Sequence, residues 1–170
     1  MSEGPLTTFS WCASLQGVEA TRAVAQRLQK LFWPQAAVLL EGELGSGKTT
    51  LVRALLEAWA PGAEVSSPSF DLVHHYRVGE VEIYHVDCYR LQDPTELAAL
   101  DLPGPPLRNT ILLAEWGGWL RPYYPDRFEI ALEFEGREGR RLRLSAWGDE
   151  STQRAVQAFS REGCHARVGD

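Results

Sequence analysis

Gly42-Glu43-Leu44-Gly45-Ser46-Gly47-Lys48-Thr49 is the stretch on which the reading of this chain turns. It fits the pattern G-x-x-x-x-G-K-[ST] at every position. Its flanks fit as well. The apolar run Ala37-Val38-Leu39-Leu40 comes just before it and reads as a buried strand of a parallel sheet. Behind it Leu51, Ala54, Leu55 and Ala58 recur at helical spacing until Pro61-Gly62 ends the run.

The residue types suit one kind of ligand. Glycines let the backbone turn tightly and aim its N–H groups inward. The start of the following helix adds its positive dipole end. Lys48 supplies a mobile ammonium for β- and γ-phosphates, and the Thr49 hydroxyl can ligate Mg²⁺. The pattern predicts a triphosphate site for ATP with Mg²⁺, with Glu43, Leu44, Gly45, Ser46, Gly47, Lys48, Thr49 and Thr50 in contact with the nucleotide. The guanine-reading motif N-K-x-D occurs nowhere in the chain, which argues against GTP.

Such a site also needs a carboxylate at a strand end. Glu115 closes the run Ile111-Leu112-Leu113-Ala114, and Asp87 lies near the end of Tyr84-His85-Val86. Each has a plainer alternative: Glu115 as a surface acid at a strand exit, Asp87 as the ion-pair partner of Arg90. Trp116 either stacks on the base, gates the site or is a partly buried aromatic.

Working outward, Ala20, Val24, Leu28 and Leu31 mark a first helix over Val18 to Phe32, stopped by Pro34. Thr7 to Leu15 reads as an edge strand ahead of it. Ser69 to Val78 and Val81 to Tyr89 read as a hairpin turning at Gly79-Glu80. That register sets Arg77 against Glu82, Tyr76 against Ile83 and His74 against His85. The two histidines could form a metal pair, but ordinary strand histidines are the better reading, because no third ligand sits at fixed spacing. Pro94 starts a short helix through Leu100, and Gly117, Gly118, Pro122 and Pro125 predict an irregular stretch. A second hairpin carries Phe128, Ile130, Leu132 and Phe134 on one strand and Leu142, Leu144 and Ala146 on the other. An in-phase register places Arg141 and Arg143 against Glu133 and Glu135. The cluster of Arg137, Arg140, Arg141 and Arg143 then reads as a salt-bridged solvated face rather than a phosphate lid or an RNA contact. Residues from about 150 to 170 are a C-terminal helix and a fraying tail.

The order of elements predicts an α/β fold: a P-loop NTPase-like three-layer domain whose mixed sheet is extended by antiparallel hairpins. At 170 residues the chain fits one domain, residues 1–170. Apolar runs are far too short to cross a bilayer, and the N-terminus shows no secretory pattern, so a cytoplasmic protein with no membrane partner is expected. A net charge of −6 argues against a large nucleic-acid footprint. Cys12, Cys88 and Cys164 form no zinc or redox spacing and read as free thiols.

Several segments in order resemble the TsaE family (older name YjeE). These are the phosphate loop with Thr50, Ser67-Pro68-Ser69-Phe70, Tyr84-His85-Val86-Asp87-Cys88-Tyr89-Arg90-Leu91, Glu96-Leu97 with Asp101-Leu102, and Ala114-Glu115-Trp116. The resemblance implies a bacterial ATPase of tRNA threonylcarbamoyladenosine synthesis. Its partners would be the TsaD and TsaB proteins, which modify adenosine 37 of tRNAs reading codons that begin with A. The chain would hydrolyse ATP, weakly when alone, and reset that complex; tRNA would be met mostly through partners. By the same resemblance, Ser67 to Phe70 would act as a switch near the γ-phosphate. Asp87 would serve hydrolysis, alongside Lys48, and Glu115 would help Thr49 bind Mg²⁺. Two other functions remain open on the residues themselves: a small-molecule kinase, and a binding module gated by the nucleotide.

Overall fold

The strand Ala36–Gly42 (β2) sits at the centre of the molecule because both of its faces are apolar. Val38 and Leu40 face one side and Ala37 and Leu39 the other, and all four are buried. The computed structural model describes residues 9–62, 72–91 and 93–159. Within them the remaining strands are β1 (Phe9–Gln16), β3 (Val73–Val78), β4 (Val81–Asp87), β5 (Thr110–Glu115), β6 (Arg127–Glu135) and β7 (Gly139–Trp147). The helices are α1 (Gly17–Phe32), α2 (Lys48–Trp59), α3 (Pro94–Ala98) and α4 (Asp149–Phe159), with a 3-10 helix over Gly117–Tyr123.

The strands form one mixed sheet in the order β1-β7-β6-β2-β5-β4-β3. β4, β5, β2 and β6 run parallel; β3, β7 and β1 are added antiparallel at the two sides. Helices α1, α2 and α4 cover one face, where Leu28, Leu51, Leu55 and Ala155 pack on Val38, Leu40, Ile83 and Leu113. The other face is covered by α3 and the 3-10 helix through Leu97, Leu120 and Tyr124. These are the three layers expected. Truncating a fully buried leucine such as Leu40 to alanine costs about 2–5 kcal/mol.

Local chemistry sets the element ends. Pro34 has no N–H to continue α1, and the N–H of Trp33 closes the helix on the Gln29 carbonyl at 3.2 Å. The Trp59 indole N–H donates to the same carbonyl at 3.1 Å and ties α2 to α1. The first hairpin has the expected register, with Arg77 opposite Glu82 and Tyr76 opposite Ile83. Gly79 supplies the positive φ of 62° that the turn requires.

Three expectations are adjusted. β6 is not merely an added hairpin strand; it pairs parallel with β2 and belongs to the parallel core. In the second hairpin Glu133 does face Arg141, but Arg143 faces Ala131, so the ion pairs run diagonally, Arg141 to Glu135 at 2.6 Å and Arg143 to Glu133 at 3.4 Å. The stretch after Trp116 forms a 3-10 helix, because Leu120 and Tyr124 have an apolar sheet face to cover. The switch segment Ser67 to Phe70, Cys164 and the tail after Phe159 lie outside the described residues.

Candidate nucleotide site

The site is built where β2 ends and α2 begins. Gly42 has φ of 151°, and a Cβ there would lie 2.4 Å from the Leu132 carbonyl oxygen and 2.6 Å from Ser46 Oγ. Only glycine lets the loop lie this close to β6. Gly45 and Gly47 are needed for their positive φ instead, at 78° and 106°, since the space around them is open. Gly47 caps α2 in the left-handed conformation, and its carbonyl accepts the Leu51 N–H at 2.9 Å. The first N–H groups of α2 have no intrahelical acceptor and point into the loop's mouth, as at any helix start.

Lys48, 5% exposed, folds back over the loop. Its Nζ donates to the carbonyls of Gly42 at 2.7 Å and Glu43 at 3.1 Å, and stands 4.1 Å from the centre of the Trp116 ring. Burial pushes its pKa below the usual lysine value, against the opposing pull of Glu115, Glu41 and Asp87. Trp116 is held in a left-handed conformation, φ 54° and ψ 39°, with its ring against Tyr89 at 5.0 Å. Its ring therefore lies beside the ammonium of Lys48.

Strand parity brings the acids to the same place. Ile83, His85 and Asp87 share one face of β4, and Leu113 and Glu115 share the matching face of β5. That face is the one α2 covers. Thr49 Oγ1 donates to Glu115 Oε2 at 2.8 Å, and His85 Nε2 bonds Glu115 Oε1 at 2.7 Å. Glu115 is 3% exposed, so it is no surface acid. Asp87 stands directly across from Glu115 in the β4–β5 register. Its Oδ1 accepts the Tyr89 N–H at 3.0 Å, and among the described residues no ion pair joins it to Arg90.

The fold thus brings Lys48, Thr49, Asp87, Glu115 and Trp116 together, as the sequence leads one to expect. It leaves Leu44 pointing into solvent at 73% exposure, so this residue can offer the loop only its backbone. Thr50 lines a cavity of about 190 Å³ next to the loop, together with Val18, Thr21, Gly45, Glu138 and Arg140. Ser46 is wholly buried, and its Oγ has no partner among the described residues.

The structure gives two residues other surroundings than their sequence context suggests. His85 is no ordinary strand histidine: it is fully buried against Glu115. Its Nε2 bonds Glu115, and the described residues contain no group of three or more potential metal ligands. The signal was present in the spacing, since His85 lies two residues before Asp87 and so on the same strand face. Arg140 departs from the salt-bridged face. Its guanidinium donates to the loop carbonyls of Ser46 at 3.2 Å and Gly45 at 3.3 Å. No spacing rule links a hairpin residue to a loop 94 positions away.

Comparison with known proteins points to one family. The chain matches the family model "Threonylcarbamoyl adenosine biosynthesis protein TsaE" over residues 15–142. It is 31% identical over 134 residues to the tRNA threonylcarbamoyladenosine biosynthesis protein TsaE of Bacillus subtilis (strain 168), covering 77% of this chain and 82% of that protein. To the protein of the same name from Nostoc sp. it is 37% identical over 127 residues, 72% of this chain and 77% of that one. The crystal structure of Bacillus subtilis YdiB superposes with a TM-score of 0.66 at 22% identity, covering 90% of this chain and 96% of that chain, a likeness of fold. A phosphate loop, a buried carboxylate hydrogen-bonded to its threonine, and this match over most of the length lead to one conclusion: the chain belongs to the TsaE family of threonylcarbamoyl adenosine biosynthesis proteins.

Proposed function

We propose that this chain is the ATP-binding and ATP-hydrolysing subunit required to form the threonylcarbamoyl group on adenosine 37 of tRNAs reading codons that begin with A. It acts with TsaD and TsaB in the cytoplasm and does not carry out the transfer itself. The observation that carries the reading is the convergence of Lys48, Thr49 and Glu115 at the mouth of the phosphate loop. Among the described residues no helix is long and apolar enough to cross a membrane.

The donor set fits Mg²⁺. Thr49 Oγ1 and Glu115 Oε2 are hard oxygen donors that already lie side by side, the ligand type this ion prefers. Mg²⁺, when bound, supplies neutralisation of charge on the β- and γ-phosphate oxygens. The protein's own groups do the rest. The loop N–H groups and the ammonium of Lys48 hold the phosphates and stabilise charge on the transferring group. For Lys48 this means exchanging its two loop carbonyls for phosphate oxygens. Asp87, next to Glu115 and partly exposed, orients or activates the attacking water. The cavity lined by Val18, Thr21 and Arg140 opens beside the loop, next to where the rest of the nucleotide would extend.

The reading is tested by purifying the chain with and without TsaD and TsaB and measuring ATP turnover. Weak hydrolysis alone that rises on adding the partners supports it. Partners that neither bind nor change turnover would remove it.

A further inference from the structure

Resting on the reading of Glu115 as the Mg²⁺ carboxylate, we propose that His85 is the positioning residue for that carboxylate: it holds Oε1 so that Oε2 is presented beside the Thr49 hydroxyl. The two oxygens of Glu115 have different partners, His85 Nε2 at 2.7 Å and Thr49 Oγ1 at 2.8 Å. A glutamate needs such a hold. Its terminal torsion is broad and two-fold, and its side chain is longer and freer than that of aspartate. Pinning one oxygen fixes which one faces the threonine.

Packing alone does not account for a histidine here. The position is fully buried, on the face where β4 carries Val81 and Ile83 before it and Asp87 at the strand end. An aliphatic side chain would fill it without leaving a polar atom to satisfy. Among the described residues His85 Nδ1 has no partner, and the bond to Glu115 is the one polar contact made by its ring. The carboxylate can only accept, so the hydrogen of this bond is carried by Nε2. Histidines that ligate metals directly are oriented by carboxylates behind them. Here the order is reversed, with a histidine behind a carboxylate.

The test uses the full chain and reads Mg²⁺ rather than turnover. A fluorescent ATP analogue is titrated in EDTA and across a Mg²⁺ series, with His85→Leu, His85→Gln, His85→Asn and Glu115→Gln variants. His85→Leu should raise the half-saturating Mg²⁺ concentration about tenfold or more and leave nucleotide affinity in EDTA within about twofold. Gln carries an amide N–H near the place of Nε2 and should restore Mg²⁺ affinity to within about threefold; Asn carries it near Nδ1 and should not. Should His85→Leu fail to fold, the Gln and Asn pair alone decides. An unchanged Mg²⁺ requirement in His85→Leu, equal behaviour of Gln and Asn, or an equal loss of affinity in EDTA would overturn the proposal. Glu115→Gln separates the two levels. If it too leaves the Mg²⁺ dependence unmoved, the metal reading of Glu115 fails; if it moves while His85 variants do not, only the role of His85 fails.

Discussion

Thr49 and Glu115, 66 positions apart in the chain, share a 2.8 Å hydrogen bond from Oγ1 to Oε2. The bond joins the first turn of α2 to the last residue of β5. Removing the hydroxyl with the near-isosteric Thr49→Val leaves Oε2 without that donor. The expected outcome is a stability loss of about 1 kcal/mol and at least tenfold weaker Mg²⁺-dependent binding of ATP. Calorimetric titration with and without Mg²⁺ checks it; nucleotide affinity in EDTA should barely change.

Gly42 is the loop position with no room for a side chain. Gly42→Ala drives a Cβ to within 2.4 Å of the Leu132 backbone, at a φ of 151° that suits only glycine. A loss of about 2–4 kcal/mol is expected from the urea midpoint, with loss of ATP binding. Gly45→Ala, where the space is open, should cost only the backbone strain of its φ, about 1–2 kcal/mol.

Arg140 ties the β6–β7 hairpin to the phosphate loop through two carbonyls. Arg140→Met keeps most of the stem and deletes the donors. ATP should bind about five- to tenfold more weakly, with a stability change of about 1 kcal/mol or less. Lys48→Ala should be far worse, abolishing binding or turnover. Equilibrium titration of both variants side by side ranks the two cations.

Cys88 is buried behind the site, and burial, with Asp87 and Glu41 adding to it, pushes its thiol up from 9.0 to about 12. The folded state therefore keeps the proton longer than the unfolded chain does. The Cys88 contribution to stability is constant below about pH 9 and falls as pH rises from there towards 12, by up to about 1.4 kcal/mol per pH unit. Cys88→Ala should lack that component in urea titrations. At about pH 8, mass mapping after iodoacetamide should find exposed Cys12 alkylated and Cys88 modified only in denaturant.

The legible parts of this molecule are those governed by short-range rules. The phosphate loop, the strand before it and the helix after it follow from glycine placement and apolar period, and the first hairpin register follows from its two-residue turn. Glu115 and Asp87 were legible as strand-end acids, but their adjacency was not. It depends on β4 lying parallel beside β5, a pairing between strands separated by α3 and a proline-rich loop. His85 was half legible: its spacing from Asp87 gives the face, while its partner depends on that same pairing. Arg140 was illegible, because β6 joins β2 only through the sheet order, and nothing local says that β7 then brings its arginine to the loop. Local period sets elements; the non-local pairings that complete the site are decided by burial of both sheet faces.

The most direct test of the account is a tRNA-modification assay reconstituted with TsaD, TsaB and either the wild-type chain or Glu115→Gln, counting threonylcarbamoyl groups formed per complex. Glu115→Gln should still bind ATP in EDTA to within about threefold of wild type, because the loop and Lys48 remain. It should lose repeated turnover, forming no more than about one modified tRNA per complex. Undiminished multiple turnover by a variant shown not to hydrolyse ATP would contradict the account, and would make the chain a module gated by nucleotide binding alone.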